Sequence, residues 1–247
     1  VFSLGYFLVW VGALIVERTP PSADLPDPAR LAREIRAELV PAYTLGSTLS
    51  LFSGLGGAIA IILGALSLGS EYGWGTLKTI FTQGPGRVVI LGGKIVALAG
   101  VLLAYTIGAL VAGLVGSLLI AAIEGASLAP PGATSILGAV GAGWLILATW
   151  TALGLALAAL LRGTALAIGV GLIYVLIVEN IVGGITTLVE ALQPLARIFI
   201  GTNSNTLAAS FVAPGRIPTW QAALVLGFYA ALFLAVAGLV LRRRDVA

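Results

Sequence analysis

Residues 88–122 form an apolar run with a single charge, Lys94. Runs of the same kind recur at about 42–69, 135–161, 164–187 and 220–241, and a shorter one covers 1–16. A helix needs about 20 apolar residues to cross a bilayer. The sequence therefore predicts an all-α integral membrane protein with six transmembrane helices in a single transmembrane domain covering residues 1–247. A β-barrel is excluded, because its strands alternate polar and apolar residues, whereas these runs are apolar on every side. The composition agrees: 9% of residues are charged, against roughly 25% in a soluble domain. The first run starts within apolar sequence at Val1 and is read as a span whose beginning is missing. It has no basic start and no small-residue cleavage site, so it is not read as a signal peptide.

The same inventory excludes several functions. The 13 basic residues are mostly scattered singly, without a basic stripe interleaved with aromatics, so no nucleic-acid partner is expected. There is no Cys and no His, which removes disulfides, the usual zinc sites and histidine acid–base catalysis. Gly92, Gly93 and Lys94 are followed by Ile95 rather than Ser or Thr, so they make no phosphate-binding loop. No catalytic or metal-binding residues and no cofactor are expected in this chain. If it works with ATP, another chain hydrolyses it.

The polar segments organise the rest. In 17–41, prolines at 20, 21, 26 and 28 precede an amphipathic stretch in which Leu31, Ile35 and Leu39 recur every four residues among charges. It is read as a helix on the membrane surface or packed on its own protein, with direct substrate contact as the sharper alternative. Residues 124–134 are a turn, and Arg162 and Gly163 mark a tight reversal. Residues 188–219 are too polar to span. Small residues recur four apart at Gly54 and Ala58, Gly108 and Ala112, Gly138 and Ala142, Gly154 and Ala158. Such faces let helices approach closely in lipid, within one chain or between two. Placing loop 70–87 inside gathers Lys78, Arg87, Lys94, Arg162 and Arg242, Arg243 and Arg244 on one side in little polar sequence. Basic residues near span ends favour the cytoplasmic side, so both termini are expected in the cytoplasm and the chain in the inner (cytoplasmic) membrane.

Chemistry is expected at two places. In loop 70–87, Thr76 is a candidate cap for a short helix from Leu77 to about Thr82, stopped by Gly84 and Pro85. Trp74, Leu77 and Phe81 share a face suited to a groove on a soluble partner, with Lys78 beside it. Glu71 holds the loop by accepting backbone N–H bonds or by pairing with Lys78 or Arg87. The plainer alternative is an inter-span loop with interfacial Trp and Lys anchors. Within the membrane, Ser47, Ser50, Gly54 and Gly57 make a small, mildly polar stripe on the second span, while Glu179 and Asn180 interrupt the fifth. An ionisable residue in a span is costly and a functional candidate by default. The alternative for Glu179 is a hydrogen-bonded structural acid.

The order Glu71, then Gly75-Thr76-Leu77-Lys78, then Pro85 and Arg87, placed between spans two and three, resembles the loop of bacterial ABC-2-type transporter permeases. Lys94 and the Arg-rich end add to the resemblance, and Gly86 departs from it, since relatives often carry a small polar residue there. The resemblance implies an ABC-2 architecture (type V exporter, ABCG-like), with a short inner coupling helix and an outer re-entrant segment at 188–219. It implies two ABC ATPase subunits, holding ATP and Mg, docked through residues 71–87, and a second copy of this chain or a homologous permease. A path between spans two and five would export a hydrophobic or amphiphilic substrate. A stand-alone secondary transporter or channel, and a membrane scaffold without cargo, are the competing functions.

Overall fold

The computed structural model describes residues 2–20, 27–37, 39–73, 87–188, 193–212 and 217–243. Every regular element there is helical. Helix α1 covers Phe2–Glu17 and α2 covers Pro28–Ala37. A short 3-10 turn, Pro41–Tyr43, leads into α3 (Thr44–Leu51), a π-helical turn at Phe52–Gly56, and α4 (Gly57–Gly73). Helix α5 is Arg87–Glu124 and α6 is Ala133–Leu161. Helix α7 (Thr164–Ile173) passes through a second π-helical turn, Tyr174–Val178, into α8 (Glu179–Leu188). The short α9 (Gln193–Ala196), then α10 (Ile200–Ala209) and α11 (Thr219–Arg243), complete the chain.

Five stretches are long and apolar enough to cross a membrane: Pro41–Glu71, Val89–Glu124, Ala133–Leu161, Thr164–Ile185 and Thr219–Arg242. They agree with five of the six expected runs. The first run is helical, but its apolar piece, Phe7–Glu17, is shorter than a crossing. The punctuation lies where the turn residues put it. Helix α5 ends on Gly125 at φ +65, with the Ala126 N–H reaching the Ala121 carbonyl, a glycine-dependent stop. Arg162 takes the left-handed conformation (φ 55), and its N–H bonds to the Ala158 carbonyl, which allows the reversal into α7.

The core is the seam between α4 and α6. Gly64 lies against the Thr151 backbone, and Gly154 lies against the Ile61 carbonyl and the Ala65 N–H, so closely that a Cβ at either would overlap main chain. Small residues are what permit such an approach. Around the seam, Leu49, Phe52, Ile146, Leu147 and Trp150 are fully buried. Gly138 packs beside Phe211, whereas a Cβ at Gly54 or Gly108 would meet nothing. The small-residue pairs therefore divide between internal packing and open surface.

Residues 73, 87, 161–164 and 243 mark one end of the bundle, called here the loop end. At the opposite, far end Arg36 bonds to Glu17 (2.7 Å) and approaches Glu124 (3.6 Å), while the Trp10 indole N–H donates to Glu124 (2.6 Å). This network ties α1, α2 and α5, and α2 packs on α1 as one of its two sequence readings anticipated.

Candidate functional site

The expected coupling segment is only partly within the described residues. Trp74, Gly75, Thr76, Leu77, Lys78, Phe81 and Pro85 lie outside them, as does the expected short helix. Arg87 is the first residue of α5. Glu71 lies in the last turn of α4; its expected partners, Lys78 and the Arg87 side chain, lie outside the described side chains. Its Oε1 accepts from Lys94 Nζ of α5 at 2.7 Å, and the same ammonium donates to the Ser67 carbonyl at 2.7 Å. The pair is largely withdrawn from water.

The path residues fall in two groups. Ser50 is exposed and Ser47 and Gly54 are half-exposed on the α3 side of the molecule. The Ser47 hydroxyl donates to the Tyr43 and Thr44 carbonyls and that of Ser50 to the Gly46 carbonyl. Their polar demand is thus met within their own helix, and the stripe can face an apolar medium. Asn180, exposed on α8, likewise donates to the Leu176 carbonyl. Gly57, read as part of the stripe, is instead buried against the Trp150 indole. The π-helical turn explains this. Its extra residue rotates everything beyond it by about 100° relative to a straight α-helix.

Glu179 points inward, only 9% exposed. The backbone N–H groups of Ile200 and Gly201 and the Tyr174 hydroxyl lie around its carboxylate, whose Oε1 is buried without a hydrogen-bond partner among the described residues. These two N–H groups open α10, where a helix leaves its donors unsatisfied and favours a negative charge. Gly201 is needed for this contact: a Cβ there would lie 2.6 Å from Glu179 Oε2. From Ile200, α10 runs towards the far end. Its C-terminal neighbours Phe211 and Val212 meet Gly138 and Gly46, near the starts of α6 and α3.

Helix α10 is thus a wedge. In the loop half, α4 and α7 touch directly through Gly69 on Thr164 and Gly171 on Ile61. In the far half, α10 packs on α3 and the first π-helical turn on one side and approaches α8 on the other. Both helices change pitch where the wedge enters. Asn203 and Ser204 of α10 are fully buried, with the Asn203 amide donating to the Arg197 and Phe199 carbonyls. Sequence reasoning singled out Glu179 but missed Tyr174, Gly201 and the indole of Trp150, whose ring lies 6.1 Å from that of Tyr174. Residues 174 and 179 are five apart, roughly 140° around an ideal α-helix. The π-helical turn, whose hydrogen bonds join residues five apart, brings them to one face. No sequence signal announces that turn.

A family model described as ABC-2 family transporter protein matches residues 15–246. The chain belongs to that family. It is a membrane-embedded ABC-2-type permease, and the match covers every element from the end of α1 onwards. A comparison with the curated proteins gives no match. Among the described residues of this ABC-2 permease, no group of acidic residues could hold a metal ion.

Proposed function

We propose that the chain is the transmembrane subunit of an ATP-driven exporter for a hydrophobic or amphiphilic substrate. The family match over nearly the whole chain carries this reading. Residues 1–247 contain no phosphate-binding loop, and in this reading two separate ABC ATPase subunits supply ATP hydrolysis. They dock on residues 71–87, where Trp74, Leu77 and Phe81 enter an apolar groove, Lys78 meets a carboxylate, and Gly75, Thr76, Pro85 and Arg87 shape the segment. The loop end is cytoplasmic, with both termini on that side of the inner membrane, and residues 1–16 belong to a sixth span.

A second copy of this chain, or a homologous permease, completes the transporter. The exposed faces of α3 and α8, with Ser47, Ser50, Gly54 and Asn180, line the path between the copies. In this reading α10 is the outer re-entrant helix, and Glu179 holds its inner tip and so sets the gate. The Ile200 and Gly201 N–H groups and the Tyr174 hydroxyl around its carboxylate support a gating role over direct contact with substrate. The burial of Glu179 beside exposed Asn180 points the same way.

Replacing Leu77 or Phe81 by Asp tests the docking assignment. Burying an unpaired charge costs several kcal/mol, enough to weaken docking by orders of magnitude. The ATPase should dissociate, or hydrolyse ATP without driving transport, while the permease still inserts. Normal co-purification and normal transport per ATP in both variants would rule the loop out as the coupling element. Transport by the purified chain alone, without ATP, would favour a secondary transporter or channel.

A further inference from the structure

Helices α4 and α5 flank the 74–86 loop, yet they scarcely pack on each other. Helix α4 is held by α6 and α7 through the glycine contacts at Gly64 and Gly69. The loop end of α5 instead lies against α11, where Leu91 is buried with Ala237 and Leu241. Beside the apolar cluster that Leu68 of α4 shares with Leu91 and Ile95 of α5, the polar link between the two helices at this end, among the described residues, is Lys94. Its ammonium has two acceptors on α4, Glu71 Oε1 and the Ser67 carbonyl, each at 2.7 Å. Positions 67 and 71 are one turn apart on the same face. A two-point attachment there restrains the tilt between the helices as well as their separation.

The side chains of Lys94 and Glu71 are 20% and 17% exposed, so salt and water screen the pair weakly. Glu71 Oε2 is buried and has no partner among the described residues. Lys94 is therefore the described counter-charge of a carboxylate that lies at the threshold of the loop. An ordinary surface ion pair would leave both groups free to find water; here most of each side chain is covered.

We propose that Lys94 is a positioning residue for coupling, a strut that makes α4 and α5 answer together when the loop is displaced. The proposal rests on the reading of residues 71–87 as the ATPase docking element. A push on the loop reaches α7 through Gly69 and Thr164, and it reaches α5 through Glu71 and Lys94. Without the strut, the splayed gap between α4 and α5 absorbs the displacement, and hydrolysis proceeds with little movement at the far end.

The absence of Cys allows a direct test. Spin labels at Leu66→Cys and Val96→Cys, both exposed positions, report the α4–α5 separation in the whole purified complex. The distribution should be narrow in the parent and with Lys94→Arg. It should widen about twofold or more with Lys94→Gln and with the double variant Glu71→Gln/Lys94→Gln, which leaves no charge buried alone. Lys94→Gln, outside the docking segment, should keep the co-purifying ATPase and its hydrolysis rate, and in both variants transport per ATP should fall about tenfold, within the usual range of coupling between sites. Lys94→Arg should retain most of it. An unchanged distance distribution, or parental transport per ATP, in the double variant overturns the proposal. If the parent complex retains no ATPase, the docking assignment of 71–87 fails, and the label distances then judge the strut by themselves.

Discussion

The two halves of the contact between the second and fifth apolar stretches are built on opposite principles. In the loop half, α4 and α7 meet directly, and the approach is limited only by the absence of side chains at Gly69 and Gly171. In the far half, a ten-residue helix, α10, separates the same two stretches and is held at its tip by a carboxylate. The first contact is short-range and has nothing to release. The second adds a polar, directional contact at the tip of α10, while the body of that helix stays packed on α3 and α11. The difference places direct backbone contact at the loop end and a polar attachment at the far end.

The comparison is broken most severely at the rigid seam behind the loop half. Gly154→Val forces a branched side chain into the Ile61 carbonyl. We expect a loss of about 3 kcal/mol or more, read as a lower thermal midpoint in detergent and poor assembly. A variant as stable as the parent would show that the seam can slide.

Gly201→Ala sharpens the far half. The added methyl meets the Glu179 carboxylate at 2.6 Å, so the carboxylate must withdraw from the α10 N–H groups. We expect about 1–2 kcal/mol of stability lost and an altered transport rate with intact assembly. Wild-type transport would mean that the tip of α10 needs no fixed anchor.

Glu179→Gln keeps the shape but removes the charge that the helix N-terminus favours. Stability should fall by less than in Gly201→Ala, assembly should persist, and transport or substrate-stimulated ATP hydrolysis should change. Unchanged transport across a range of pH would return Glu179 to a purely structural role. Smallest of all should be Ser50→Ala. Its hydroxyl bonds only to its own helix among the described residues, so stability should move by no more than about 0.5 kcal/mol. Any effect should appear in the preference among substrates. A large loss of stability would show that this face is packed rather than open to the path.

Much of the architecture was legible because it is local. Apolar runs of span length, the 124–134 turn and the Arg162–Gly163 reversal act over one or two turns, and each falls where the chain marks it. Glu179 was legible too, since an acid in an apolar run stands out without any knowledge of its neighbours. The small-residue pairs were legible as interfaces but not as partners. Only the structure separates Gly154, packed on α4, from Gly54, open to the outside.

What the sequence by itself determined is the class of molecule: an all-α membrane chain with multiple spans and no catalytic constellation. The burial cost of polar backbone in lipid leaves a chain of this composition no other choice. What only the tertiary structure decided is who meets whom. Glu71 finds Lys94 across a gap between helices, and Glu179 finds the first N–H groups of α10 about twenty residues onwards. Gly57 turns inward and Tyr174 turns towards Glu179 because of two π-helical turns. Those turns arise where neighbouring helices must diverge around a wedge, a condition set by packing between distant segments and written in no single one of them.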